Sequence, residues 1–326
     1  MMINMVERSE IIFKDFKKYL EDAEKEFGGF LLRNRTGRYT DIISELYELA
    51  GNYDKPRNKE ELDNLIKNIE KDQIDIGLRT GSYLSRAINE LEEDDIELAF
   101  KYSFYAIGTR LRKGKSLKIY GNGKDFIGLE LDGGKLELDG EAENYFCFLM
   151  KNGVGIVNKN VGDYAGAGMK GGIIIIRGSA GKYLGQGKGG GKIHVLKNVD
   201  DFAGIDSRGG EITIEGDAKN YAGAGIIGGE ININGNALDY TGKGMGGFGE
   251  INVKGNVRDY TGKDMRGGYI NILGNAGYYT GDNSTGGRIR IGSKCEGYGK
   301  NIKAIIEVNN RVVYNKEEKI ERSLFR

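Results

Sequence analysis

The feature that most constrains this chain is an aromatic residue that returns at a nearly constant interval through more than half of its length. The aromatic column consists of Phe126, Tyr145, Tyr164, Tyr183, Phe202, Tyr221, Tyr240, Tyr260, Tyr279 and Tyr298. Eight of the nine intervals are 19 residues long, and the interval from Tyr240 to Tyr260 is 20. A repeat this strict is typical of stacked structural units, each of which packs against its neighbours. The chain is therefore expected to contain a solenoid.

Each repeat also contains a short segment in which apolar and polar residues alternate. Ile212 and Ile214, for example, alternate with Glu211 and Thr213, and the same two apolar positions return in the other repeats. Side chains two residues apart lie on the same face of a strand. Two such columns can share one interior only if each repeat forms one coil of a parallel β-solenoid, with coils about 4.8 Å apart. The pattern predicts about nine coils of this kind.

Glycine is concentrated in the same part of the chain: 46 of the 54 glycines lie between Gly121 and Gly299, and Pro56 is the only proline. Collagen is excluded because the period is not three and proline is nearly absent. One glycine column follows the aromatic by two residues, which predicts a corner with positive φ or with no room for a Cβ. This column consists of Gly128, Gly166, Gly185, Gly204, Gly223, Gly242, Gly262 and Gly281. Cys147 fills it in the second coil, and the extra residue of the long repeat, between Lys243 and Gly249, is expected to bulge outward.

The sequence before the repeat has a different character. Residues 1–115 contain few glycines, many charges and apolar positions at helical spacing. This pattern predicts a separate all-helical domain of four or five helices. Asn58 is expected to cap one of these helices, and Asp95 to Leu111 is expected to form the last.

The repeat loses its register after Tyr298. Ile302 to Val308 and Arg311 to Tyr314 are expected to form one or two closing strands, and Glu317 to Phe325 a terminal helix or tail, because the end of a solenoid needs a cap. Three regions follow from these patterns. They are a helical domain at 1–115, a glycine-rich parallel β-helix at 116–300 and a C-terminal capping strand and tail at 301–326.

Composition excludes several classes of function. Lys plus Arg and Asp plus Glu both total 48, so no global charge favours nucleic acid or an acidic membrane as a partner. No run of about 18 apolar residues and no apolar leader-like segment occurs, which predicts a cytoplasmic protein. With two cysteines and one histidine, neither a disulfide framework nor a Cys/His metal site is expected, and no cofactor is predicted.

The segment from Gly162 to Gly178, GDYAGAGMKGGIIIIRG, resembles the Gly-x-Gly-x-Gly repeat family. That family includes the C-terminal domain of the glutamate synthase large subunit and one of the subunits of formylmethanofuran dehydrogenase. The resemblance covers roughly residues 117–300 and implies a right-handed parallel β-helix. It also implies a structural part that braces domains or subunits carrying flavin, iron–sulfur or tungsten/molybdenum chemistry. The chain lacks the N-terminal amidotransferase Cys and any Cys cluster, so glutamate synthase chemistry cannot reside on it.

Several residue patterns could be interpreted as sites, and each has a plainer structural interpretation. His194 occupies an outward strand position without a partner fixed by the pattern, which favours a surface histidine over a catalytic one. The column before the aromatic could align oxygens for Ca²⁺, but Asp and Asn also favour turns by themselves. This column contains Asp125, Asn144, Asp163, Asp201, Asn220, Asp239 and Asp259.

Two glycine- or lysine-rich segments and the aromatic column are interpreted in the same way. Gly187 to Lys192 lacks the spacing of a phosphate loop and precedes a strand, so it is expected to be a corner. Arg110 to Lys115 is expected to be a solvated helix end. The aromatic column could be a sugar-stacking face, but inward stacking at a corner is favoured because Phe126 and Phe202 replace Tyr without breaking the pattern.

The sequence therefore leads to a non-catalytic structural or scaffold protein as the first hypothesis, with no catalytic, cofactor or metal residues assigned. Its expected partners are other protein subunits or further copies of the same chain, with no nucleic acid and no membrane. The alternative is an accessory subunit of an oxidoreductase complex resembling glutamate synthase or formylmethanofuran dehydrogenase. A second alternative is a carbohydrate-binding or lyase-type β-helix.

Overall fold

A computed structural model of the chain describes residues 5–31, 39–74 and 77–314. In these residues four N-terminal helices are followed by 13 strands, which form a parallel β-solenoid of about 11 turns. The fold class expected from the sequence is thus confirmed, although the expected count of about nine coils is too low, because the solenoid starts before and ends after the regular 19-residue repeat. The chain divides into two compact units, Met1–Asn158 (the first unit) and Lys159–Arg326 (the second unit).

The helices of the first unit are α1 (Met5–Leu31), α2 (Tyr39–Ala50), α3 (Lys59–Lys71) and α4 (Leu78–Glu90). Their shared core includes Phe16 and Tyr83, both fully buried. The α3 helix begins as expected, because the Asn58 side chain accepts a hydrogen bond from the backbone N–H of Glu61 at 2.9 Å.

The strands of the first unit are β1 (Asp95–Ala99), β2 (Ser116–Tyr120), β3 (Asp132–Asp139) and β4 (Asn152–Val157). They pair in parallel, with Leu98 opposite Ile119 and Ile119 opposite Leu138. The expected helix from Asp95 to Leu111 is therefore wrong. The alternating burial of β1 and its pairing with β2 outweigh the helical spacing of the same residues. The solenoid begins at Asp95, before the expected boundary.

The second unit contains the remaining strands. They are β5 (Ile173–Ile176), β6 (Lys192–Val195), β7 (Glu211–Ile214), β8 (Glu230–Ile233), β9 (Glu250–Val253), β10 (Tyr269–Ile272), β11 (Arg288–Ile291), β12 (Ile305–Val308) and β13 (Arg311–Tyr314). From β5 to β12 the pairing is parallel and in register, so that Ile212 lies opposite Ile231 and both are buried. The closing strands are confirmed: β12 adds one more parallel coil and β13 pairs antiparallel with it. The segment Glu317 to Phe325 lies outside the described residues.

The corner after each aromatic has a backbone conformation that explains the glycine column. In one coil Tyr221, Gly223 and Gly225 have φ of 62°, 65° and 67°, so every second residue is left-handed. Their N–H groups donate alternately to the next and the preceding coil, at Asp239, Ala203 and Lys243. A Cβ on Gly223 would lie 2.4 Å from Cδ1 of Ile251. The expected glycine corner is confirmed, and both of its expected causes operate.

The long repeat accommodates its extra residue as an outward bulge. The N–H of Gly246 donates to Ile226 and that of Phe248 to Ile227, so Gly247 is the residue without a counterpart in the preceding coil. Gly247 has φ of 57°, and Phe248 is 90% exposed. The expected bulge is confirmed.

Candidate functional site

The aromatic column forms a continuous stack of rings in the second unit, here called the ladder. The ladder consists of Tyr164, Tyr183, Phe202, Tyr221, Tyr240, Tyr260 and Tyr279. Neighbouring ring centroids are 4.7 to 5.0 Å apart, and neighbouring planes differ by 2° to 17°. The coil spacing sets this distance, because identical positions of successive coils lie one above the other.

The ladder lies on the outside of the corner, whereas the sequence favoured inward stacking. The residues that follow the aromatics, such as Leu184, Ala203 and Ala222, are fully buried and fill the interior. The rings from Tyr164 to Tyr260 are partly exposed, and Tyr279 is 48% exposed. The preference for inward stacking was wrong. At this corner the residue after each aromatic points into the solenoid, and the aromatic before it points outward.

Stacking determines which part of each ring is accessible. The faces of the inner rings are covered by their neighbours, so only ring edges and phenol groups remain open to a partner. Sugar recognition by aromatic stacking needs an open ring face. The ladder therefore offers little to a carbohydrate, but tyrosine edges of this kind are frequent in protein interfaces.

Two lysines lie beside the ladder. Lys243 Nζ is 5.6 Å from the ring centroid of Tyr221 and 5.4 Å from that of Tyr240. Lys263 Nζ is 5.0 Å from the ring centroid of Tyr260 and also donates to Asp282 at 3.2 Å. Within the part of the chain that the structure describes, Lys243 has no carboxylate at ion-pair distance, so its charge is available to a partner.

In the first unit the aromatic column begins with a buried ring, Phe126. Phe126 and Tyr145 stack with centroids 4.7 Å apart, and Phe126 is only 4% exposed. Ile43 of α2 and Leu78 of α4 pack in the cluster that contains these rings. Two helices of the chain itself thus contribute side chains to the cluster that buries Phe126, whereas Tyr145 stays partly exposed.

Ion pairs form at residues next to this cluster, since Glu130 follows its member Leu129. Arg110 binds Glu48 of α2 at 2.6 Å and Glu130 at 3.1 Å, and Lys151 binds Glu130 at 3.2 Å. Burial opposes ionisation of Glu130, but the hydrogen bonds and charges of Lys151 and Arg110 outweigh it and lower the pKa of this carboxyl. The contact thus has an apolar centre and a charged rim, as protein interfaces do.

The basic segment Arg110 to Lys115 is not the solvated helix end that the sequence predicted. Arg110 has a left-handed φ of 53° and belongs to the rim just described. Lys115 is buried and donates to the carbonyl oxygen of Leu91 at 2.7 Å. Both residues tie the first coils to the helices of the first unit.

The Asp/Asn column considered for Ca²⁺ forms hydrogen bonds between coils. Asp201 Oδ1 accepts from the backbone N–H and the side-chain amide of Asn220, each at 3.0 Å, and Asn220 Oδ1 accepts from Asp239 at 3.2 Å. These oxygens satisfy backbone donors at the corner. Across residues 5–31, 39–74 and 77–314, no group of three His, Cys, Asp or Glu side chains is arranged for a metal ion.

A shallow groove of about 510 Å³ runs along a second Asn/Asp column of the second unit. Val199, Ala218 and Ala237 form its floor. The oxygen of Asn198 at its edge already accepts the backbone N–H of Asp217 at 2.9 Å. The groove is therefore built mainly by the hydrogen bonds that hold the coils together.

His194 faces outward, as the strand pattern predicted. Its Nε2 lies 2.7 Å from Oε1 of Glu215, a contact that lowers the pKa of Glu215, with a further contribution from Asn234. The sequence did not reveal this partner because Glu215 follows 21 residues later, in the next coil. An alignment of the repeats places Thr213 opposite His194 and Glu215 two positions further along, on the same side of the chain as His194.

Lys188 is a charged residue in the interior of the solenoid, with 1% exposure. The segment around it is a corner, as expected, and Lys192 starts β6. Lys188 Nζ donates to the carbonyl oxygens of Gly209 at 2.7 Å and Gly191 at 3.2 Å. Burial disfavours the charged amine and lowers the pKa of Lys188 to about 8. The sequence could have indicated this burial, because the equivalent position of other repeats carries an apolar residue such as Met245, which is buried.

Large apolar side chains with high exposure are concentrated on the second unit. Among the described residues, every exposed large apolar residue except Ile11 and Tyr102 belongs to the second unit. They are Ile173, Leu196, Ile227, Phe248, Tyr269, Leu273, Tyr278, Tyr279, Tyr298, Val312 and Val313. The repeated coils hold these exposed side chains at fixed places on the outer face of the second unit, where they are available to a partner.

None of the helices in the described part of the chain has the length and apolarity needed to cross a membrane. Comparison of the sequence with protein-family models and curated proteins, and of the structure with solved structures, finds no match.

Proposed function

We propose that this protein is a non-catalytic scaffold whose solenoid holds other protein subunits. The observation that carries the proposal is the concentration of exposed apolar side chains on the second unit, together with the partly exposed ladder. A solenoid with in-register coils keeps such side chains at fixed positions, so a partner binds without ordering them first. A cytoplasmic location fits this role and belongs to the proposal.

The finer form of the proposal places the chain beside the Gly-x-Gly-x-Gly repeat family. The alternating left-handed corner at Tyr221, Gly223 and Gly225 gives that motif a structural reason in this chain. In this form the scaffold is an accessory subunit of an oxidoreductase complex, and the flavin, iron–sulfur or tungsten/molybdenum centre is on a partner protein.

The test is quantitative purification of the tagged full chain from cells that naturally produce it. We expect stoichiometric partner subunits with the wild type and their loss with the triple variant Leu196→Gln, Tyr269→Gln and Leu273→Gln. The matched control is Tyr102→Gln, which removes an equally exposed ring from the first unit and should retain the partners. A wild-type chain that purifies without another protein, as a monomer or as a homo-oligomer, would contradict the scaffold function.

The same preparation tests the finer form. Flavin absorbance and metal analysis of the purified complex should detect a redox centre that stays with the partner after the complex is separated. A complex without such a centre would retain the scaffold function and remove the oxidoreductase assignment.

A further inference from the structure

We propose that the ladder of the second unit is the docking site for an amphipathic α-helix of another protein. This inference rests on the proposed scaffold function and names the surface and the kind of partner. The first unit provides the precedent at Phe126, the first ring of the same aromatic column: it is buried in a cluster with Ile43 of α2, and Leu78 of α4 packs against that cluster, while Tyr145 stays partly exposed. In the second unit the corresponding rings stay partly exposed.

The spacing of the ladder matches a helix. Successive rings are 4.7 to 5.0 Å apart. Apolar residues on one face of a helix are spaced alternately three and four positions apart. Because each residue rises about 1.5 Å, neighbouring residues of this stripe lie on average about 5.2 Å apart along the helix axis. A helix along the ladder therefore meets each ring with one apolar side chain, and a modest tilt removes the small difference. In a strand the side chains of one face are roughly 6.8 Å apart. This spacing exceeds that of the rings, so a strand along the ladder would not place one side chain on each ring.

The charges beside the ladder define the partner further. In the first unit the rim of the helix contact pairs Glu48 of α2 with Arg110. In the second unit Lys243 lies against the rings of Tyr221 and Tyr240 with its charge unpaired within the described residues. The docked helix is thus expected to carry Asp or Glu beside its apolar stripe, opposite Lys243.

The described helices of a second copy of this chain do not supply such an apolar stripe. In the described part of its helices, Ile11 is the exposed large apolar side chain, at 37%, and one such residue does not form a stripe. The apolar faces of α2 and α4 are already used within the first unit. The described helices of a second copy therefore do not provide the docked helix, and the proposal assigns that role to a different protein.

Site-specific photocrosslinking in the producing cells tests the inference. The photoreactive residue p-benzoylphenylalanine replaces Tyr221 in the ladder. In a second chain it replaces Leu273, an exposed residue directly after β10 and outside the ladder. We expect the ladder probe to react with a segment of another protein in which apolar residues recur every three or four positions. In the Tyr221 probe chain, Lys243→Glu should lower the crosslink yield about tenfold, and Lys254→Glu, an exposed control, should leave it unchanged.

The outcomes separate this inference from the function on which it rests. Crosslinks from the Leu273 position alone would overturn the helix site and leave the scaffold function intact. Crosslinks from the ladder to a second copy of the chain, or to a segment without helical apolar spacing, would also overturn it. The absence of crosslinks from both positions would overturn both proposals.

Discussion

Single residues decide how the interior of the solenoid is filled, and Lys188 is the clearest case. It takes a position that Met245 fills in another coil, and among the described residues its amine donates to backbone carbonyl groups and to no carboxylate. A buried cation without a carboxylate partner costs free energy, which is why its pKa falls to about 8.

Replacing Lys188 by Met should therefore change how stability depends on pH. Below pH 8 the amine is charged in both states, and its burial lowers the free energy of unfolding. Between pH 8 and 10.5 the unfolded wild type binds more protons than the folded form, so its free energy of unfolding rises with pH. Lys188→Met should have a larger free energy of unfolding than the wild type below pH 8, and this difference should shrink between pH 8 and 10.5 by an amount on the order of 3 kcal/mol. Urea unfolding at several pH values measures it. The control Lys254→Met should show no such slope, and parallel profiles for Lys188→Met and wild type would refute the predicted cost of burying the amine.

The glycine corner allows a second prediction at the residue scale. Gly223→Ala should lower the free energy of unfolding by about 1–2 kcal/mol for its left-handed φ and about 1–3 kcal/mol more for the crowding against Ile251. Gly187→Ala is the matched control, with φ of 61° and nothing within 4 Å of its Cβ position. It should cost only the backbone part. Equal losses for the two variants, measured by urea unfolding, would show that interior crowding has no role.

At the scale of elements, the strands were predictable and the ladder was only partly so. The alternation of buried and exposed residues, as at Ile212 and Thr213, identifies each coil because the period of two is specific to strands. The segment that forms β1 also fits a helix, and its pairing with β2, a non-local contact, decides the matter. The outward direction of the rings was not predicted. It depends on the left-handed φ of the aromatic residue itself, and Tyr or Phe in a sequence does not indicate such a φ.

Stacking within the ladder is expected to contribute to stability in proportion to the number of neighbours. Tyr221→Ser removes contacts with two rings, and Tyr279→Ser removes the contact with one ladder ring, Tyr260. The loss in the free energy of unfolding should be about 1–3 kcal/mol for the inner ring and about half of that for the end ring. Urea unfolding of both variants checks this. A larger loss at Tyr279 would mean that the rings do not stabilise the solenoid through their stack.

At the scale of the whole molecule, the chain combines a rigid repetitive solenoid with an asymmetric distribution of apolar surface. The sequence revealed the solenoid because periodicity is a local property of the repeat. It did not reveal which columns face outward with apolar side chains, as Leu196 and Leu273 do, because a single column mixes polar and apolar residues from coil to coil. The pair of His194 and Glu215 was missed for a related reason, since its members belong to neighbouring coils.

The most direct test of the scaffold function is the mass of the native particle that contains this chain, measured by native mass spectrometry after gentle extraction. We expect a particle that contains the 35.9 kDa chain together with at least one different subunit. A particle that contains only this chain, as a monomer or as a multiple of its mass, would contradict the heteromeric scaffold proposed here.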